Sequence, residues 1–152
     1  MPDDTRLVLA FDFGLKRIGL ASGDTLTRTA APLSTLHSTT GTPDWSGIGR
    51  QIAALAPAQL VVGEPYNADG STSAMTATVR AFAAELAQRF ALPVALIDER
   101  WSSIDAEERL RAARASGQRR RRVRREDVDA RAAAVILERW FERHPAAGNR
   151  QQ

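Results

Sequence analysis

A mixed β-sheet covered by helices is the architecture this sequence predicts, on three observations. Leu7 to Phe13 (LVLAFDF) is a near-continuous apolar run, the signature of a strand buried on both faces. Two further short apolar segments follow it before any helical periodicity begins. From Ile48 onward, helix-period and strand-period segments alternate, the pattern of an α/β domain.

The elements follow in order. Gly14 supplies a turn after the first strand, and Ile18 to Ala21 returns as its hairpin partner. A third strand is expected over Ala30 to Leu36, then a loop from Ser38 to Trp45 containing Gly41 and Pro43. Ile48, Ile52 and Leu55 recur at helical spacing until Pro57 stops the helix. Leu60 to Gly63 reads as a short buried strand, and Glu64 to Gly70 as a turn. Ser71 or Thr72 is the expected cap of a long helix carrying Val79, Phe82, Leu86 and Phe90 on one face. Pro93 to Ile97 is the next strand. Ser102 and Asp105 form a capping box for a helix through Arg114, and a last helix spans about Glu126 to Arg143. The expected organisation is one domain over 1–144 and a disordered tail over 145–152.

Composition excludes several classes. With 43% hydrophobic and 26% charged residues the chain is globular in type, and 152 residues set a prior of one domain. No apolar run approaches the roughly 20 residues of a membrane span. The opening Met1 to Arg6 lacks a secretory layout, so a cytoplasmic protein is expected. There are no cysteines and two separated histidines, which removes disulfides, thiolate chemistry and a zinc site. His37 and His144 read as surface residues, and Trp45, Trp101 and Trp140 as packing.

Net charge is only +3, yet eleven arginines face six acids between Arg100 and Arg131. Arg119, Arg120, Arg121 and Arg122 stand consecutively. Such a patch suits a phosphate backbone, although a solvated loop would carry the same charge.

Three acids break their local pattern. Asp12 ends a strand that otherwise reads as fully buried, where a carboxylate is costly unless paired or bound to a cation. A turn bond at Gly14, or a pair with Lys16 or Arg17, would also explain it. Asp98 and Glu99 follow another buried strand, where pairing with Arg100 at the surface is equally consistent. Asp129 shares the apolar stripe of the last helix with Ala133, Ile136 and Trp140. Carboxylates gathered in one cleft repel unless a hard divalent cation, Mg²⁺ or Mn²⁺, lies between them. With an arginine-rich flank, that combination points to metal-dependent phosphodiester chemistry.

The segments AFDFGLKRIGLASGD, VVGEPYNADGS, VALIDERWSS and VDARAAAVILERWF, in that order, resemble the motifs of the YqgF/RuvX family from Leu7 to Phe141. Gly41 to Trp45 (GTPDW) also resembles enterobacterial-like members. That family is described as Holliday junction resolvases or pre-16S rRNA nucleases. The resemblance implies an RNase H-like fold, a five-stranded mixed sheet flanked by helices. It implies that Asp12, Glu99 and Asp129 are the catalytic and metal-holding carboxylates for Mg²⁺ or Mn²⁺. It suggests Lys16, Arg17, Asn67 and Arg100 for phosphate contact, with Arg119 to Arg122 gripping the nucleic-acid backbone.

Two of these motifs depart from the family pattern. Gly63-Glu64-Pro65-Tyr66-Asn67 replaces the usual GLPLN, and Glu64 is read as a surface substitution rather than a supplement to Glu99. Ser102 and Ser103 replace a pair of threonines.

The expected function is a metal-dependent endonuclease processing the 5′ end of precursor 16S rRNA, acting as a monomer or weak homodimer. Branched DNA is the alternative substrate, and a non-catalytic assembly factor the alternative class. An actin-like nucleotide binder would need a second such half, which 152 residues cannot hold.

Overall fold

A computed structural model describes residues 6–39, 41–98 and 125–144. Its elements run β1 (Leu7–Phe13), β2 (Arg17–Asp24), β3 (Ala30–His37), α1 (Trp45–Leu55), β4 (Gln59–Glu64), α2 (Ala74–Phe90), β5 (Val94–Asp98) and α3 (Arg125–Arg143). The five strands form one mixed sheet in the order β3-β2-β1-β4-β5. β1, β2 and β3 pair antiparallel, and β1, β4 and β5 parallel. The expected hairpin is present, with Asp12 opposite Gly19 and Phe13 opposite Ile18.

Strand alternation sorts the core into two layers. Leu9 and Phe11 of β1, Ile18 and Leu20 of β2, and Leu60 and Val62 of β4 face α1 and α2. There they meet Ile48, Val79, Phe82 and Leu86. Val8, Ala10, Val61 and Ile97 face the other way and pack under Ile136, Leu137 and Phe141 of α3. β1 sits at the centre and feeds both layers, which is why its sequence shows no polar alternation. Asp12 continues the parity of Val8 and Ala10, so it belongs to the α3 face.

Element ends differ from expectation where local hydrogen bonds compete. Helix α1 starts three residues before Ile48, because the Asp44 carboxylate accepts from the Gly47 N–H at 2.9 Å. Its end is a left-handed Ala56 just before Pro57. The cap of α2 is Ser73, in a reciprocal box with Thr76, and not Ser71 or Thr72. Ser71 is otherwise engaged: its hydroxyl and N–H both donate to Asp69. Strands β4 and β5 each run one residue longer at their carboxyl ends, so Glu64 and Asp98 are paired strand residues rather than turn residues. The helix expected from Ser102 to Arg114 and the tail over 145–152 lie outside the described residues. Among the described residues, no helix is long and apolar enough to cross a membrane.

Candidate functional site

The carboxyl end of β1, the turn into β2 and the N-terminal parts of α2 and α3 line an open cleft of about 360 Å³. It is lined by residues 12–17, Met75 and Asp129. Carboxyl ends of central strands are where open α/β sheets gather ligand sites.

Each lining group has a local reason to be there. Asp12 arrives on the α3 face by strand parity and is half-buried. Gly14 keeps the hairpin turn tight: a Cβ there would stand 2.6 Å from the Arg17 carbonyl. The Lys16 carbonyl accepts from the Ser38 N–H at 2.9 Å, fixing the turn against the end of β3. Arg17 Nε donates to Asp129 Oδ2 at 2.6 Å, with side-chain exposures of 24% and 21%. That pair spans 112 residues of sequence and ties the hairpin to α3.

Two carboxylates and two cations therefore meet at one rim. The carboxylate oxygens are hard donors suited to Mg²⁺ or Mn²⁺, and the amine and guanidinium suit phosphate. Among the described residues no group of three or more potential metal ligands occurs; Asp12 and Asp129 are the two carboxylates that line the cleft. Glu99, Arg100 and Arg119 to Arg122 lie outside the described residues, as does Trp101.

Neither Asn67 nor Glu64 is among the residues that line this cleft. Asn67 Nδ2 donates to Ser71 Oγ at 2.9 Å and to the Thr72 carbonyl at 3.3 Å, closing the β4–α2 loop. Glu64 is not a surface substitution: it is 8% exposed. Its Oε1 accepts from the Tyr66 hydroxyl at 2.7 Å and its Oε2 from Arg80 Nε. Alternation puts Glu64 in register with Leu60 and Val62, on the α1/α2 face and opposite to Asp12. Sequence reading could not see this, because the partner on α2 is sixteen residues away. The carboxylate, with the Tyr66 hydroxyl adding to it, raises the Arg80 pKa above its ordinary value.

Sequence reading also missed the apolar part of the cleft, formed by Phe13, Leu15 and Met75. Leu15 was detectable in principle, as a lone large apolar residue in a turn between Asp12 and Lys16; it is 55% exposed. Trp45 packs as expected, stacked on Phe82 with Arg89 over its ring. Trp140 packs beside the α3 core and stacks on His144, and His37 and His144 are exposed.

A family model described as RuvX, Holliday junction resolvase, matches residues 6–143. A relative from Dechloromonas aromatica, named as a pre-16S rRNA nuclease, is 45% identical over 135 residues, 89% of this chain and 90% of its own. One of the same name from Coxiella burnetii is 40% identical over 142 residues, covering 93% and 96%. Among solved structures, Thermus thermophilus RuvC in complex with a Holliday junction substrate aligns with a TM-score of 0.53. That alignment has 18% identity over 91% of this chain and 94% of that one, a likeness of fold alone.

Proposed function

Because this chain belongs to the RuvX family, we propose that its cleft hydrolyses phosphodiester bonds with a divalent cation, acting on the 5′ end of precursor 16S rRNA. The observation that carries this reading is the convergence of Asp12, Asp129, Lys16 and Arg17 on one cleft from opposite ends of the chain. The names of the relatives from Dechloromonas and Coxiella support the RNA substrate, and an enzyme acting on precursor ribosomal RNA would work in the cytoplasm.

Asp12 and Asp129 would hold Mg²⁺ or Mn²⁺, with Glu99 completing the set. A cation bound there supplies positive charge to a phosphodiester oxygen and acidifies water. Lys16 and Arg17 neutralise the phosphates flanking the cut. Phe13, Leu15 and Met75 wall the cleft with apolar surface, which lowers the local dielectric and strengthens each of those contacts. Arg100 and Arg119 to Arg122 would add grip on the nucleic-acid backbone. Nothing in the sequence forms a base-reading motif, so recognition is by shape and phosphate position.

A side-by-side cleavage assay with Mg²⁺ or Mn²⁺ tests the reading, using a precursor 16S 5′ fragment and a four-way DNA junction. Wild type is expected to cut the RNA, and Asp12→Asn to lose at least a hundredfold in rate while still binding it. Cleavage of the junction alone would transfer the assignment to branched DNA, the substrate in the family's description. Binding of RNA without cleavage would favour an assembly factor.

A further inference from the structure

We propose that Gly19 is a positioning residue of this cleft: its missing side chain lets the main chain of α3 lie against β2, and so sets the distance between Asp129 and Asp12. The inference rests on the metal-dependent reading above. Gly19 is the direct partner of Asp12 in the β1–β2 register, and both belong to the α3 face of the sheet. A Cβ built on Gly19 would overlap the carbonyl group of Asp129 and stand 2.9 Å from the Ala130 nitrogen. These are backbone atoms of a helix, which cannot rotate aside as a flexible side chain can.

The geometry couples three positions. Asp12 is fixed laterally by its strand, Gly19 lies beside it, and Asp129 lies on Gly19. Farther along β2, Ala21 packs against Ala133 and Ala134, so the helix stays close over the next turn. Arg17 then holds the Asp129 carboxylate at the cleft. A methyl group at 19 would lift the first turn of α3 and retract Asp129 from Asp12. Retraction of about 1 Å is enough to cost roughly a hundredfold in a catalytic arrangement.

Gly23 provides the internal control. It lies on the same strand under the same helix, away from the cleft, and a Cβ there would overlap the Thr29 carbonyl and press Leu137 and Phe141 at 3.1 Å. The experiment titrates Mn²⁺ into the full chain by electron paramagnetic resonance. Wild type, Gly19→Ala, Gly23→Ala and the double variant Gly19→Ala with Asp129→Glu are compared, with thermal midpoints for each. Gly19→Ala is expected to weaken Mn²⁺ by about tenfold or more. It should also lower kcat with little change in KM for RNA. Gly23→Ala is expected to lose comparable thermal stability and to stay within about twofold of wild-type Mn²⁺ affinity. The longer carboxylate of Asp129→Glu should recover part of the loss in the Gly19→Ala background, which a purely structural defect would not permit.

Wild-type Mn²⁺ affinity in folded Gly19→Ala, or an equal loss in Gly23→Ala, would overturn the inference. If Gly19→Ala does not fold, wild-type protein decides the matter. Bound Mn²⁺ should broaden the Gly19 and Ala130 amide resonances well before those of Gly23 and Leu137, and uniform broadening would overturn the proposal. Failure of wild type to bind Mn²⁺ at all would overturn the metal reading itself and this inference with it, a result distinct from the others.

Discussion

Arg17 serves two electrostatic roles at once, as the partner of Asp129 and as a cation at the mouth of the cleft. Its replacement by Gln should remove a charge-assisted bond that is partly open to solvent, lowering stability by about 1 kcal/mol in urea denaturation. It should also reduce the salt dependence of RNA binding by about one phosphate contact. Glu64 behaves differently because it lies across the sheet. Glu64→Ala is expected to cost about 2 kcal/mol, since it removes a buried acceptor shared by Tyr66 and Arg80. Its Mn²⁺ affinity should stay at the wild-type value, and a tenfold loss would show that Glu64 reaches the metal. Asp12 and Asp129 were legible in the sequence because each is an acid on an apolar pattern. Glu64 was not, because a carboxylate after an apolar run looks the same whether it meets water or an arginine brought in by another element.

At the scale of elements, the β4–α2 loop is held by its own side chains. The Ser71 hydroxyl, and then the Ser71 N–H, hydrogen-bond to the Asp69 carboxylate and hold its pKa below the ordinary value. A depressed carboxyl gives its full stabilisation above the unfolded value and loses it as pH falls through the folded one. The loop should therefore loosen only below about pH 4. The Ser71 amide chemical shift should report that midpoint, and Asp69→Asn should abolish the step. Helix α2 depends on its cap in the same local way: Ser73→Ala should destabilise the protein by about 1 kcal/mol in chemical denaturation. The sequence showed where these elements lie, because hydrophobic period survives in a single chain. It did not show which of Ser71, Thr72 and Ser73 caps α2. All three can accept from a helix N–H; Ser71 is already bonded to Asp69 and Asn67, and Ser73 is the one that stands three residues before Thr76 and closes a reciprocal box with it.

For the whole molecule, the sheet acts as a partition. One face carries α1, α2 and the aromatic packing of Phe11, Phe82 and Trp45; the other carries α3, Asp12 and Asp129. Leu137→Ala, on the buried face of α3, should cost about 2–5 kcal/mol and weaken Mn²⁺ binding only through the unfolded fraction. The mixed sheet was legible because three strands precede the alternating units. The pairing of hairpin and last helix was not, since contacts across 112 residues leave no trace in local periodicity. That same separation has a consequence for synthesis. All five strands leave the ribosome before α3, so a nascent chain can carry Asp12 on a formed hairpin while Asp129 is still untranslated. Any activity that needs both acids is silent until translation has reached α3, so order along the polypeptide delays completion of the cleft until late in synthesis.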